Sequence, residues 1–236
     1  MTVRHPIRAT ALLLALACAG ITQARSPAPA APTVPGQVSN VAWAGDMDAF
    51  EKADAANPPP RGGIAFVGSS SIRMWETLQA DFAGKPVFNR GFGGSEVRDS
   101  TWYADRIIIP QAPCKVFLYA GDNDLNSGRS PAQVRDDVVG FVQRIHRDLP
   151  ETQVEYISIK PSPSRANLLP AISEANGMIR TALAGMPRTG YNDINTPMLG
   201  ADGQPDPKLF LQDMLHMKPA GYAIWKQVLA PKVQCD

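Results

Sequence analysis

Short apolar runs alternate with longer amphipathic stretches along most of the chain. Apolar runs with the character of buried strands lie at 63–68, 86–91, 115–121, 153–160 and 190–194. The stretches that follow them predict helices at 72–82, 98–108, 131–149, 167–185 and 218–231. The helix at 131–149 has the clearest pattern, and Ser130 followed by Pro131 gives it an N-cap and a proline at its first position.

This alternation predicts the fold class. Strands that alternate with helices pair in parallel through right-handed crossovers, and helices then cover both faces of the sheet. We therefore expect an α/β fold, a three-layer α/β/α domain with a central parallel sheet. Ligands bind such sheets at the carboxyl ends of the strands, so a functional site is expected among the residues that follow them.

Four polar clusters occupy positions at that edge. GSSS at 68–71 follows the first strand, NRGFGGS at 89–95 follows the second, and GDND at 121–124 follows the third. DMLH at 213–216 precedes the last helix. Loops built for structure alone have no reason to gather Ser, Gly, Asn and an Asp/His pair at one edge of a sheet.

Residues of these types are suited to acyl transfer. A serine hydroxyl is a weak nucleophile that needs a neighbouring base. His216 is a candidate base, because Asp213 lies three residues earlier and can hold its ring in one tautomer. Glycine N–H groups, an Asn side chain and a serine at a helix start can hold an oxyanion. His146, flanked by Arg144 and Arg147 and off the apolar stripe of its helix, is expected to be solvated.

These clusters resemble the four blocks of a known family, the SGNH hydrolases (GDSL-type esterases and lipases). The family blocks carry Ser, Gly, Asn and His in that order, and here they read FVGSSSIRMW, NRGFGGSE, YAGDND and DMLHMKPAGY. IKPSPSR at 159–165 also resembles one branch of the family, and the likeness extends over 41–232. The resemblance implies a flavodoxin-like α/β/α fold, ester hydrolysis by a serine nucleophile, and no cofactor.

The resemblance also points to the nucleophile. The first block of the family commonly has Gly-Asp-Ser with a Trp five residues after the serine, and counting back from Trp75 gives Ser70. Ser69 then stands where Asp is usual, so Ser69 stays open as an alternative nucleophile and Ser71 as a weaker one. Without the other blocks, serines at this junction would be interpreted as N-caps of a helix.

The remaining site residues follow from the other blocks. The catalytic residues implied are Ser70, Asp213 and His216, and the oxyanion hole implied comprises Ser70, Gly94 and Asn123. The serine and the glycine would act through backbone N–H groups, and the asparagine through its side chain. Met214 replaces a common Gly in the last block, which we expect to stiffen the turn without moving the Asp/His pair.

Three other kinds of site fail on spacing. A dinucleotide loop would need glycine where Glu96 stands, and a calcium loop would need Gly and Glu where Ser127 and Gln133 stand. The nucleophile elbow of α/β-hydrolases would need glycine at Ile72. We therefore expect neither a nicotinamide cofactor nor a metal ion, and we expect Asp124 to make structural hydrogen bonds.

The first 40 residues differ from the rest of the chain. A basic start and the apolar run ALLLALACAGI, followed by Thr22-Gln23-Ala24, predict a signal peptide at 1–24. The residues before Cys18 partly resemble a lipoprotein processing site, which leaves a lipid anchor at Cys18 as an alternative. Residues 25–40 are rich in Pro and Ala and predict an extended linker, so the hydrolase domain would occupy 41–236.

Composition agrees with a soluble globular domain. The chain has 236 residues, 44% of them hydrophobic and 19% charged, which is enough for one packed domain. Its net charge of +1 gives no reason to expect nucleic acid as a partner. No segment after the leader is long and apolar enough to span a membrane.

The two cysteines after the leader are expected to pair. Export to an oxidising compartment permits a disulfide. Cys114 opens the third strand at the amino edge of the sheet, and the last helix is expected to run from the catalytic edge back to that edge, which brings Cys235 there. We therefore predict a Cys114–Cys235 disulfide far from the site.

Together these features predict an exported serine esterase, periplasmic or secreted, that acts on a small-molecule or glycan ester. The domain has no long lid insertion, which favours short acyl groups or acetylated sugars as substrates. We expect residues 126–130 and 161–167 to shape the pocket and Leu215 to lie in the core. The alternatives are a non-catalytic glycan-binding module of the cell envelope and an acyltransferase.

Overall fold

The computed structural model describes Met1, Thr2 and residues 41–235. The predicted signal peptide and linker therefore lie, apart from the first two residues, outside the described part of the chain. Residues 41–235 belong to one compact unit, Pro32–Asp236. No helix among the described residues is both long enough and apolar enough to cross a bilayer.

Within residues 41–235, five parallel strands form one sheet, as the sequence predicts. They are β1 (Ile64–Gly68), β2 (Val87–Gly91), β3 (Lys115–Tyr119), β4 (Gln153–Ile157) and β5 (Thr189–Asn192). Their order is β2-β1-β3-β4-β5, and in the register Gly68 of β1 lies beside Gly91 of β2 and Tyr119 of β3. Every residue of β1 and β3 is buried, which explains why their sequences are almost continuously apolar.

Helices cover both faces of this sheet. In the described chain they are α1 (Ala44–Ala56), α2 (Ser70–Arg73), α3 (Leu78–Asp81), α4 (Val97–Trp102), α5 (Ala104–Ile107), α6 (Asp122–Asn126), α7 (Pro131–Asp148), α8 (Leu169–Ala184) and α9 (Pro219–Leu229). One apolar core joins α1, α4, α5, α7 and α8 to the sheet around Val116 and Leu118. A second core joins α2, α3 and α9 to the other face around Phe66 and Phe117. The protein thus has the predicted three-layer α/β/α fold.

Two predicted helices are each broken in two. The pattern at 72–82 predicts one helix, but α2 and α3 are separate, and Trp75 between them packs edge-on against Phe66 in the core. The pattern at 98–108 is interrupted in the same way by the buried Tyr103, which lies between α4 and α5. In both places the packing of an aromatic side chain outweighs the local preference for a continuous helix.

The sequence pattern does not predict α1. Met47 is its one buried residue, so the helix has no apolar stripe that would mark it. An ion pair attaches it to the sheet, because Asp54 pairs with Arg90 of β2 at 2.6 Å. Arg90 is almost fully buried and also donates from Nε to the carbonyl oxygen of Ile107.

A disulfide joins Cys114 and Cys235, which confirms the predicted pairing. Their Cα atoms lie 5.8 Å apart, and Cys114 directly precedes β3. Close to this bond, Lys115 Nζ donates to the carbonyl oxygen of Lys232 at 2.9 Å. The end of the chain is therefore fixed to the amino edge of the sheet.

His146 is half-buried, so the expectation that it is solvated is wrong. Its Nε2 lies 3.0 Å from the carbonyl oxygen of Thr152, because the end of α7 packs against the turn that leads into β4. Burial lowers the pKa of its imidazole. The arginines beside it in sequence gave no sign of this contact.

Candidate active site

A cleft of about 620 Å³ opens at the carboxyl ends of the strands. The predicted site residues that line it are Ser70, Gly94, Asn123 and His216. The other residues that line it are Ala42, Trp43, Asp46, Arg73, Gly93, Arg165 and Leu215. Each of the four polar clusters therefore contributes to one cleft, as their positions after the strands predict.

Two expectations about the walls of this cleft need correction. Leu215 is half-buried and lines the cleft instead of the core, because it belongs to the same tight turn as His216. Of the two segments expected to shape the pocket, 161–167 contributes Arg165, whereas 126–130 contributes no lining residue. Asn123 lies at the start of α6, whereas the 126–130 segment begins only at the last residue of that helix.

The position of Ser70 depends on a sharp turn of the backbone at the end of β1. Gly68 ends the strand with a φ of +138°, and a Cβ there would lie 1.8 Å from the carbonyl oxygen of Tyr119. Only glycine allows that approach. Ser69 N then donates to the same Tyr119 oxygen at 3.0 Å, and Ser70 becomes the first residue of α2. Its hydroxyl is thus held at the edge of the sheet, at the start of a helix.

Three side chains form an unbroken series of polar contacts in the cleft. His216 Nε2 lies 3.0 Å from Ser70 Oγ, and His216 Nδ1 lies 2.6 Å from Asp213 Oδ2. A carboxylate accepts from an N–H, so Asp213 selects the tautomer that carries its proton on Nδ1. Nε2 is then the acceptor for the hydroxyl proton of Ser70, which is the arrangement that activates a serine nucleophile.

Asp213 is held ionised in this arrangement. Its Oδ1 accepts from the backbone N–H groups of Leu215 and His216, each at 2.9 Å. Partial burial alone would raise the pKa of its carboxyl, but the hydrogen bonds from the His216 ring and from these two N–H groups lower the pKa to about 2. The side chain that orients His216 therefore carries a full negative charge at neutral pH.

The other two serines of the first block lack such a contact. Ser69 is buried, and its Oγ has no hydrogen-bond partner among the described residues. Ser71 is also buried, and its carbonyl oxygen accepts from the hydroxyl of Tyr222 at 2.9 Å. The geometry therefore distinguishes Ser70 from its neighbours, where the sequence left a choice.

Three N–H groups at the cleft have no hydrogen-bond acceptor among the described residues. Gly94 has a φ of +79°, a left-handed conformation that favours glycine. Asn123, the second residue of α6, donates one Nδ2–H to the carbonyl oxygen of Ser95 at 3.0 Å. Within the described chain, its other Nδ2–H and the N–H groups of Ser70 and Gly94 donate to no protein atom. They are available to an oxygen atom bound in the cleft.

Met214 adopts a conformation that its residue type disfavours. Its φ is +55°, in the left-handed region, and its side chain is exposed. From the sequence, Met214 is expected to stiffen the turn without moving the Asp/His pair. The contact between Asp213 and His216 is indeed present, but the turn reaches it through the backbone conformation that glycine would adopt more easily.

Arg165 is a cleft residue to which the sequence analysis assigns no role. Its Nη2 donates to Oδ1 of Asn123 at 2.9 Å, and its Nη1 lies 3.0 Å from Oδ2 of Asp122. Lys160 Nζ donates to the same Asp122 oxygen at 2.9 Å. Two signals pointed to this segment, namely the likeness of IKPSPSR to one branch of the family and the position of 161–167 after a predicted strand.

The loop that carries Arg165 also contacts the turn that carries His216. Ser164 N donates to the carbonyl oxygen of Met214 at 3.0 Å. Residues 164 and 165 therefore contact both the Asp/His turn and the asparagine of the third block. No sequence pattern connects these segments, which lie about 40–50 residues apart along the chain.

Trp43 is a second cleft residue that the sequence analysis does not identify. Its Nε1 donates to the carbonyl oxygen of Gly93 at 2.8 Å, and its ring packs edge-on against Phe92. It thereby supports the glycine-rich loop that includes Gly94. Trp43 lies next to the predicted linker and outside any periodic stretch, so the sequence offers no signal for it.

Buried acidic groups lie behind the cleft. Asp124 accepts from Val97 N at 3.1 Å, in agreement with a structural role, and burial raises the pKa of its carboxyl to about 8. Burial likewise raises the pKa of Asp99 to about 6. Among the residues that the structure describes, no group of three or more His, Cys, Asp or Glu side chains is arranged to hold a metal ion.

A serine, an imidazole and a carboxylate in hydrogen-bonded series, beside unpaired N–H groups, are the arrangement found in serine acyl hydrolases. Residues 62–224 match the GDSL-like Lipase/Acylhydrolase family. The chain belongs to this family, which confirms the resemblance to SGNH hydrolases, and it is an ester hydrolase.

Two comparisons with individual proteins agree with the family. The chain is 25% identical over 178 residues to the platelet-activating factor acetylhydrolase IB subunit alpha1 of Homo sapiens, covering 72% of this chain and 74% of that protein. The corresponding protein of Pongo abelii is 26% identical over 179 residues.

Solved structures show the same fold. A GDSL-like lipase from Bacteroides thetaiotaomicron matches with a TM-score of 0.66 at 17% identity, covering 80% of this chain and 97% of that chain. An acetylxylan esterase from Geobacillus stearothermophilus, solved as a catalytic mutant, matches with a TM-score of 0.59 at 12% identity, covering 75% and 96%. At these identities the likeness supports the three-layer fold alone.

Proposed function

We propose that the chain hydrolyses carboxylic esters with Ser70 as nucleophile, His216 as general base and Asp213 as the carboxylate that orients it. The observation that carries this proposal is the series of contacts from Ser70 through His216 to Asp213, at 3.0 and 2.6 Å. The position of Ser70 at a helix start, beside unpaired N–H groups, supports it further.

The proposed reaction has two stages. Ser70 Oγ attacks the ester carbonyl carbon while His216 Nε2 takes the hydroxyl proton, and the tetrahedral intermediate then expels the alcohol, which receives that proton from His216. Water attacks the acyl-enzyme by the same route, with His216 as base, and releases the acid and free Ser70. No cofactor takes part in this proposal.

The negative oxygen of each tetrahedral intermediate needs donors that are already in place. We assign this role to the N–H groups of Ser70 and Gly94 and to the side-chain amide of Asn123. Each of these groups retains an N–H without a partner among the described residues. Preorganised donors of this kind stabilise the transition state more than the neutral ester, which is what accelerates the reaction.

We propose short acyl groups, carried by a small molecule or a glycan, as the substrate class. Six of the eleven residues that line the cleft are polar or charged, Arg73 and Asp46 among them, and Trp43 and Leu215 are the large apolar ones, which favours a small acyl group over a long chain. One relative is named an acetylhydrolase and one structural neighbour an acetylxylan esterase, so an acetyl group is common to both names.

We propose further that the protein is exported to the periplasm or secreted. The leader-like residues 1–24 and the Cys114–Cys235 disulfide support this, since disulfides persist in oxidising compartments. The amino terminus of the mature protein tests it. Mass spectrometry is expected to find a chain that begins at Arg25, whereas a lipid-modified Cys18 would indicate an anchored lipoprotein.

The activity is tested with p-nitrophenyl esters from acetate to palmitate, using the mature protein, Ser70→Ala and the matched control Ser69→Ala. We expect wild-type activity to be highest on short acyl groups and Ser70→Ala to lose at least about 10³-fold in kcat. Ser69→Ala is expected to retain activity within about threefold, because the Ser69 hydroxyl has no partner to lose.

Each alternative gives a different result in this assay. Activity that survives in Ser70→Ala but disappears in Ser69→Ala would transfer the nucleophile to Ser69. Acyl transfer to an added alcohol that exceeds hydrolysis would indicate an acyltransferase. A wild-type protein that hydrolyses no ester, acetylated glycans included, yet binds glycan, would indicate a binding module.

A further inference from the structure

The hydrogen-bonding capacity of the Asn123 side chain is almost fully used. A carboxamide has two N–H donors on nitrogen and one acceptor oxygen. One donor is bonded to the carbonyl oxygen of Ser95 at 3.0 Å, and the oxygen accepts from Arg165 Nη2 at 2.9 Å. These two contacts fix which end of the amide is nitrogen, and they leave one N–H free for the cleft.

Arg165 also takes part in a buried cluster of ion pairs with Asp122 and Lys160. Its Nη1 and Lys160 Nζ both approach Oδ2 of Asp122, at 3.0 and 2.9 Å. The side chains of Lys160, Asp122 and Arg165 are 1%, 6% and 12% exposed, so water screens these charges little. Burial alone would raise the pKa of Asp122, but Lys160 and Arg165 lower it, so Asp122 is ionised.

Two cations share one anion in this group, so its net charge is positive. Lys160 and Arg165 contribute two positive charges and Asp122 one negative charge. The cation that contacts Asn123 is therefore not fully compensated. A cation bonded to the oxygen of an amide draws electrons from its nitrogen, which makes the remaining N–H a stronger donor.

We propose that Arg165 is a positioning residue for the oxyanion hole, which acts by fixing and polarising the side-chain amide of Asn123. This inference rests on the proposed ester hydrolysis and extends it to a residue that does not react. The planar guanidinium reaches Asn123 and Asp122 at the same time, which a lysine ammonium at the same position cannot do. Loss of Arg165 leaves the amide held by its bond to the carbonyl oxygen of Ser95 alone, so its second N–H is directed into the cleft less firmly and is a weaker donor.

A double-mutant cycle on kcat tests whether Arg165 acts through Asn123. The variants are Arg165→Met, Asn123→Ala and the two combined, with p-nitrophenyl acetate as substrate. We expect Asn123→Ala to lower kcat by about 10²–10³-fold, the range for one oxyanion donor. Arg165→Met is expected to lower kcat by about 10–100-fold with KM changed less than about threefold, and to lower it less than about twofold in the Asn123→Ala background.

Two further measurements separate positioning from a general structural effect. Guanidinium ion at millimolar concentration is expected to restore part of the kcat of Arg165→Met, whereas Arg165→Lys is expected to remain impaired. The matched control is Arg61→Met, which removes an exposed arginine ahead of β1 at the opposite edge of the sheet and is expected to change neither kcat nor KM.

An NMR measurement tests the same inference without substrate. The side-chain amide signals of Asn123 can be assigned by their loss in Asn123→Ala. We expect two separate, shifted proton signals in the wild type and signals closer to those of a free amide in Arg165→Met. This result stands even if no ester is hydrolysed, so failure of the proposed function and failure of this inference can be distinguished.

Several results would overturn the inference. One is an additive cycle, in which Arg165→Met has the same effect with and without Asn123. Another is a large rise in KM at unchanged kcat, which would indicate that Arg165 binds substrate directly. Asn123 amide signals that are identical in the wild type and Arg165→Met would also overturn it.

Discussion

At the scale of single residues, Met214 shows that the site contains local strain. A residue with a Cβ in the left-handed region costs about 1 kcal/mol, and the exposed Met214 side chain packs too little to offset that cost. The turn is held in this conformation by the Asp213 carboxylate, which bonds both the ring and the backbone of His216. Strain of this kind persists where surrounding hydrogen bonds over-determine the backbone.

Asp124 leads to a prediction on pH. Burial raises the pKa of its carboxyl in the folded protein to about 8, from a reference value of 3.8. The folded state therefore keeps a proton that the unfolded state has released, so folding is weakened as pH rises from about 4 to 8. The stability of Asp124→Asn, which has no proton to lose, is expected to rise relative to that of the wild type by about 3–4 kcal/mol from pH 5 to pH 8.

Urea unfolding at several pH values measures this difference. The amide oxygen of the introduced asparagine can still accept from Val97 N, so the fold is expected to be kept. Burial raises the pKa of Asp99 to about 6. Both proteins are therefore expected to keep a smaller decrease in the free energy of unfolding between pH 4 and 6. A stability difference that does not change with pH would show that Asp124 is ionised in the folded protein.

The sequence indicates the proposed catalytic and oxyanion-hole residues more completely than the residues that support them. Ser70, Asn123 and His216 stand in blocks whose order and spacing are recognisable along the chain, and the structure brings them into one cleft. Arg165 and Trp43 act through contacts with residues about 40–50 positions away, at Asn123 and Gly93. Such long-range contacts leave no periodic signal, so they became visible only in the folded chain.

At the scale of secondary-structure elements, those that bury many apolar side chains could be predicted from the sequence. The strands are marked by nearly continuous apolar runs and α7 by apolar residues at a period of 3.6, because these residues pack into the core. α1 buries Met47 alone and pairs with Arg90 and Arg106 through its acidic residues, so its sequence resembles a polar surface segment. The breaks at Trp75 and Tyr103 likewise depend on packing against other elements rather than on local sequence.

The attachment of α1 to the sheet leads to a prediction on stability. Asp54 accepts from Arg90 through both of its carboxylate oxygens at 2.6 Å, and Arg90 is 5% exposed. Asp54→Ala leaves a buried guanidinium without its counter-ion, which is expected to destabilise the protein by about 2–4 kcal/mol. Replacement of Arg90 by Met in the same background is expected to recover part of this loss.

Urea unfolding of the single and double variants measures this effect. Asp48→Ala is the matched control, because Asp48 lies on the same helix and pairs with Arg106 at the surface. Its unfolding midpoint is expected to stay close to that of the wild type. A similar loss in Asp48→Ala and Asp54→Ala would mean that the helix itself, and not the buried pair, accounts for the change.

At the scale of the whole molecule, the disulfide fixes the chain end at the edge opposite the cleft. Cys114 and Cys235 are separated by 121 positions, so the bond restricts the unfolded chain considerably. Cys235→Ser is expected to lower the free energy of unfolding by about 2–4 kcal/mol while kcat stays within about twofold of the wild type. The distance of the bond from the cleft is the reason for the second expectation.

Thermal unfolding and ester hydrolysis measured on the same samples check both parts. Thiol titration of the denatured, unreduced wild type is expected to find no free thiol in a chain that begins at Arg25. Cys114→Ser is the matched variant, and it should resemble Cys235→Ser in stability. A large loss of kcat in either variant would show that the amino edge of the sheet influences the cleft.

The loop at residues 164 and 165 has a consequence for how the enzyme can acquire new substrates. Because this loop touches both the Met214 turn and Asn123, a change of its length or shape disturbs proton transfer and oxyanion binding together. Residues within 42–46 also line the cleft, and there Trp43 contacts the glycine-rich loop through its hydrogen bond to Gly93. Selection for a different alcohol or acyl group is therefore expected to collect substitutions at Ala42 and Asp46, which also line the cleft, and to leave Trp43 and 161–167 largely unaltered.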